Sequence, residues 1–130
     1  MTMTAKNTDS VELPDILPAE MALSMSDGGD LTIIDVRTPM EWVRSGVAKG
    51  ALTITPQNPT FMQDLSDAVD GDMSKPIALI CATGQRSATI ARFLREQGYS
   101  AVADISEGMM GNRTSAGWLI KGLPIDHVKG

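Results

Sequence analysis

Apolar and polar positions alternate in blocks along this chain, and the period changes from block to block. Leu31-Thr32-Ile33-Ile34-Asp35-Val36 is rich in β-branched residues and nearly continuous, the pattern of a strand covered on both faces. Residues 76–80 and 100–105 repeat that pattern, and residues 51–55 give a shorter strand stopped by Pro56. Between the strands the period is helical. Pro18-Ala19-Glu20 opens one helix, with Met21, Leu23 and Met25 as apolar positions and Gly28-Gly29 at its end. Thr38-Pro39-Met40-Glu41 is a capping-box pattern with proline first in the helix, and predicts a short helix from Pro39 to about Ser45. Phe61, Leu65, Ala68 and Val69 mark a third helix, closed by Gly71. A fourth is expected over residues 87–97, with Ala88, Ala91, Phe93 and Leu94 inward and Gly98 just past its end. Residues 108–122 are ambiguous: Trp118, Leu119 and Ile120 read as helical, but glycines and Asn112 surround them.

Strands that alternate with helices predict an α/β architecture with a largely parallel sheet. A chain of 130 residues is most simply one domain with a real core. Residues 1–15 read as a disordered lead-in, 16–126 as the folded domain and 127–130 as a tail. The net charge of −5 argues against nucleic acid as a partner, and any attraction for a small anion must be built locally. No apolar run reaches the roughly 18 residues of a membrane span, so no membrane partner is expected. The first ten residues lack the apolar stretch of a secretory signal, which leaves a cytoplasmic location as the expectation.

Composition narrows the chemistry to one residue. Cys81 is the only cysteine, which excludes an intramolecular disulfide and a cysteine-cluster metal site. The one histidine, His127, lies in the polar tail and reads as solvent-exposed rather than as a ligand or base. Trp42 and Trp118 read as anchors of helices against the sheet, the nine methionines as core filler, and Lys121 and Lys129 as solvated charges.

Cys81 opens the run Cys81-Ala82-Thr83-Gly84-Gln85-Arg86-Ser87, directly after a strand and before a helix. Ligands of open α/β sheets bind beyond the carboxyl ends of strands, where this run must lie. Loop amides between Cys81 and Arg86, from Ala82, Thr83, Gly84 and Gln85, can form an anion nest, helped by the positive end of the helix. Gly84 permits a positive φ or a close backbone approach, and Arg86 offers a planar fork to an oxyanion. Thiols in such places are activated nucleophiles.

Three stretches resemble rhodanese-like domains. Ile33-Ile34-Asp35-Val36-Arg37-Thr38-Pro39-Met40-Glu41-Trp42 looks like the family's first motif, Cys81 to Ser87 like its active-site loop, and Gly122-Leu123-Pro124-Ile125 like its closing motif. The resemblance implies a largely parallel five-stranded sheet flanked by helices on both faces, and sulfur transfer through a cysteine persulfide. It implies that Cys81 accepts sulfur from a donor such as thiosulfate or a persulfide and hands it to cyanide or a thiol. A sulfur-carrier protein is a further partner it allows. Arg86 would stabilise the anion and the loop, and the amides from Ala82 to Ser87 would cradle the outer sulfur. Asp35 and Arg37 would support the site, either as a fold-holding ion pair or by touching substrate.

Departures from the family pattern qualify these expectations. Ser45-Gly46-Val47-Ala48-Lys49-Gly50-Ala51 lacks the usual histidine after the first motif's helix, and the loop has no basic residue at Ala82 or Thr83. The segment from Gly108 to Gly117 is longer than usual; it is either an exposed loop or a pocket wall from which Arg113 reaches the site. Two other readings stay open. One is a sulfur-relay or non-catalytic module. The other is a Cys-Arg phosphatase, which the four residues between Cys81 and Arg86 disfavour because such phosphatases have five.

Overall fold

A computed structural model describes residues 13–129. Four parallel strands form the sheet in the order β3-β1-β4-β5: β1 (Thr32–Asp35), β3 (Leu52–Thr53), β4 (Ile77–Ile80) and β5 (Val102–Asp104). A fifth position at the β5 edge is filled by Ile16, a single parallel bridge to Asp104. The Asp104 N–H donates to the Asp15 carbonyl at 2.8 Å, and the Leu17 N–H donates to the Asp104 carbonyl at 3.0 Å. The chain is therefore tied into the sheet from Asp15 on, and the expected lead-in up to residue 12 lies outside the described residues. A separate antiparallel pair, β2 (Val47–Ala48) with β6 (Ile125–Asp126), closes the C-terminal end onto the middle of the chain.

Both faces of the sheet are covered. Successive strand residues point to opposite sides, so Ile34, Ile77, Leu79 and Cys81 join one buried cluster, and Ile33, Ala78, Ile80 and Ala103 join another. Helices α3 (Phe61–Ala68) and α4 (Gln85–Glu96) cover the first through Phe61, Leu65, Ala91 and Leu94. Helix α1 (Ala19–Asp27), Met109 and Trp118 cover the second. Burying each large aliphatic chain contributes about 1.5–3 kcal/mol. Cys81 thus prolongs the Ile77–Leu79 side of β4 and faces α4.

Helix α2 spans Pro39–Ser45, as its capping signal predicts, and Trp42 is its buried anchor. Three expectations are corrected. On α1, Ala19 and Ala22 are buried and Leu23 and Met25 pack partly buried against the same core, but Met21 is exposed. Helix α4 starts at Gln85, two residues early, and its inward face is Ser87, Ala91 and Leu94; Ala88 and Phe93 face out. The spacing i, i+4, i+7 is kept but the stripe is rotated to include a serine. Trp118, Leu119 and Ile120 lie in turns, with Trp118 fully buried.

Candidate functional site

The parallel register pairs Asp35 with Ile80, so the chain leaves β1 and β4 side by side at one sheet end. Two loops start there. The first turns at Asp35-Val36-Arg37 and the second at Cys81.

Asp35 and Arg37 form a buried ion pair at 2.8 Å, with side chains 0% and 2% exposed. The guanidinium donates through Nε and Nη2 to the carboxylate, through Nη1 to Ser45 Oγ and through Nη2 to the Gly46 carbonyl. The Trp42 indole donates to Asp35 Oδ1 at 3.0 Å. These bonds join the end of β1 to the middle and the C-terminal end of the helix Pro39–Ser45. A buried charge pair needs hydrogen-bond partners for its remaining polar atoms, and here every guanidinium nitrogen has one. Of the two roles open to this pair, the geometry is that of a fold-holding ion pair.

The Cys81 loop is built around its own sulfur. Gly84 N–H donates to Sγ at 3.1 Å and Ser87 N–H at 3.4 Å, and the Ser87 hydroxyl lies 3.3 Å away. Cys81 is only 1% exposed. The cradle amides of Gly84 and Ser87 therefore point at Sγ itself, where an outer sulfur had been expected to take them. Ala82 is half-buried, and Thr83 and Gln85 are exposed.

Glycines make this tight loop possible. Gly84 adopts φ +103°, and a Cβ there would stand 2.0 Å from the Ser106 carbonyl oxygen. At Gly108, with φ +69°, a Cβ would stand 2.3 Å from the Ala82 oxygen. That close approach lets Met109 N–H donate to the Cys81 carbonyl and Met110 N–H to the Ala82 carbonyl, each at 2.8 Å. The Asn112 amide donates to the Thr83 and Ser106 carbonyls, both at 3.0 Å. The 108–112 segment is thus a brace behind the loop, while Arg113 is exposed.

Arg86 does not face an empty cradle. Its Nη1 and Nη2 donate to the two carboxylate oxygens of Glu41, each at 2.9 Å. Hydrogen bonds from Arg86 above all, and also from Thr38, hold the Glu41 carboxyl down at about 2, against burial. The sequence marks Glu41 only as a helix cap, and its second role spans 45 residues of chain that no local pattern reveals. Ser87 has a further partner as well: its hydroxyl donates to Asp104 Oδ1 at 2.5 Å. Asp104, buried at the end of β5, is the other residue that sequence reading missed. Lys121, expected to be solvated, binds the buried Glu107 at 2.7 Å and Glu20 at 3.0 Å. Among the described residues, no group of three or more His, Cys, Asp or Glu is placed to hold a metal ion, and no helix is long and apolar enough to cross a membrane.

The family model for the rhodanese-like domain matches residues 18–113. A thiosulfate sulfurtransferase, GlpE, from Actinobacillus succinogenes is 32% identical over 111 residues, 85% of this chain and 89% of that one. The polysulfide-sulfur transferase homodimer of Wolinella succinogenes is similar in structure, with a TM-score of 0.67 and 27% identity over 90% of this chain and 80% of that one. A protein of unknown function from Rhodopseudomonas palustris, described as a possible tyrosine phosphatase, aligns with a TM-score of 0.59 and 25% identity over 97% of this chain and 99% of that one.

Proposed function

The chain belongs to the rhodanese-like domain family, and from that membership we propose that it is a sulfurtransferase in which Cys81 carries the sulfur as a persulfide. The observation that supports this reading most is the convergence of the Gly84 and Ser87 amides on one buried sulfur. Donors fixed around a nucleophile hold it in one direction and stabilise charge on it without reorganisation.

In the first half-reaction, Cys81 Sγ attacks the sulfane sulfur of thiosulfate or a persulfide. The new S–S bond forms as the donor's S–S bond breaks, and sulfite or a thiolate leaves with the electron pair. In the second, cyanide or a thiol takes the outer sulfur and Cys81 is restored. Cys81 is nearly sealed, so a donor has to displace part of the loop, whose exposed residues are Thr83, Gln85 and Arg86. The loop amides then hold the outer sulfur. Arg86 steadies the loop through Glu41 and serves an incoming anion by exchanging that partner. Asp35 and Arg37 keep the neighbouring corner rigid. The reading needs no cofactor, and its acceptor is a small thiophile or the thiol of a sulfur-carrier protein.

Mass spectrometry after incubation with thiosulfate, an organic trisulfide or a persulfidated protein tests it. The chain should gain one sulfur atom with at least one donor, and Cys81→Ala should gain none. No gain with any donor overturns the reading. The Rhodopseudomonas neighbour is what supports the phosphatase reading among these relatives. Turnover of a phosphomonoester that vanishes in Cys81→Ser would put it first.

A further inference from the structure

Ser87 stands between two buried groups that make opposite demands on it. Its hydroxyl is 3.3 Å from Cys81 Sγ and 2.5 Å from Asp104 Oδ1. A hydroxyl has one proton to give. When Asp104 is a carboxylate it must receive that proton, and Ser87 then turns lone pairs toward the sulfur, which suits a thiol S–H. When the sulfur is a thiolate it needs the Ser87 proton itself, and Asp104 must supply a replacement. The two buried acids therefore share one hydrogen-bonded path.

The surroundings leave Asp104 to this task. Its residue is 5% exposed, and among the described residues no cation lies within ion-pair distance of its carboxylate. Arg95, the nearest base on α4, spends its Nη2 on the Val102 carbonyl at 3.0 Å and on Asp15 at 3.7 Å. Burial pushes the Asp104 carboxyl above its ordinary value, against the pulls of Ser87 and Arg95. On the sulfur side, the charged groups are Arg86 with its partner Glu41, and the Asp35–Arg37 pair. The Gly84 carbonyl, 3.3 Å from the Ser87 hydroxyl, is a weaker competing acceptor.

We propose that Asp104 is a positioning residue for the Cys81 chemistry, taking up through Ser87 the proton that the thiol gives up. The S–H bond breaks as a new Oγ–H bond forms, and the old Oγ–H bond breaks as Oδ1–H forms. The electron pair stays on sulfur, so a single negative charge passes from carboxylate to thiolate inside the protein. The relay rests on Cys81 being the nucleophile, as proposed above, but its test needs no sulfur donor.

The only cysteine makes iodoacetamide alkylation a clean report on the sulfur. In the full chain, the rate against pH should rise in two steps, a partial plateau and then a full one. Asp104→Asn should collapse these to one step, with its midpoint at least about one pH unit below the upper step, roughly tenfold more thiolate at a fixed pH there. In Ser87→Ala that shift should shrink by more than half, because the link is gone. Coincident profiles for the unmodified chain and Asp104→Asn overturn the relay, as does an equal shift in the Ser87→Ala background. Carboxyl-carbon NMR of the unmodified chain keeps the test independent of folding by the variants. The Asp104 signal should titrate in the same steps as the alkylation rate, and its titration should become a single step once Cys81 is alkylated. An Asp104 signal indifferent to alkylation overturns the relay. A shared titration in a protein that never gains sulfur would leave the relay standing and remove the sulfurtransferase reading.

Discussion

Arg37 and Arg86 follow neighbouring strands at the same end of the sheet, each paired with a carboxylate, yet they are held in different ways. Arg37 and Asp35 are sealed, and the guanidinium also satisfies Ser45 and Gly46. Arg86 and Glu41 have side chains 45% and 30% exposed, and water competes for both. A sealed pair cannot trade partners without stranding a buried charge, whereas a rim pair can. The contrast is one of access: the β1 corner is sealed, and the rim pair beside the Cys81 loop is the one that water reaches.

The sharpest way to break the contrast is to remove Arg37. Arg37→Ala leaves the Asp35 charge buried without its counter-charge, and should cost about 3–5 kcal/mol of stability in urea unfolding. A loss no greater than that of a surface substitution would mean the corner is not a clamp. Next comes Gly108→Ala, which sets a methyl group against the Ala82 carbonyl at a left-handed φ. Backbone strain of about 1–3 kcal/mol is expected. Displacing the loop should also slow sulfur uptake by Cys81 about 100-fold. Unchanged uptake would mean that the brace behind the loop is idle.

The smallest effect is expected at the rim, where Glu41→Gln should cost about 0.2–1 kcal/mol at neutral pH. Its pH dependence has a definite sign. The Glu41 carboxyl is lowered from 4.5 to about 2 on folding, so its contribution is complete above pH 4.5 and fades as pH falls toward 2. The stability difference between the native chain and Glu41→Gln should therefore shrink over that range. A difference that is flat with pH would remove the Arg86–Glu41 pair from the account.

Much of the frame was legible because its signals are local. The Thr38–Glu41 capping pattern placed α2 at Pro39–Ser45, and the apolar run ending at Ile80 put Cys81 at a strand's carboxyl end. What stayed hidden was long-range. Glu41 meets Arg86 across 45 residues and Ser87 meets Asp104 across 17, and no periodicity reports such contacts. The stripe of α4 was misread for a related reason. A hydrophobic pattern favours Ala88 and Phe93 as core, but a hydrogen bond to Asp104 offsets the desolvation of the Ser87 hydroxyl and lets it be buried. Ser87, read from the sequence as a loop residue but not as a buried one, is the residue that lies between the sulfur and the carboxylate.

The central claim, that sulfur passes through Cys81 as a covalent intermediate, is tested most directly by a single turnover. Protein loaded with sulfur, freed of donor and then mixed with cyanide should release one thiocyanate per loaded chain and return Cys81 to its original mass. Thiocyanate that forms only while donor is present, or that forms equally with Cys81→Ser, would contradict it.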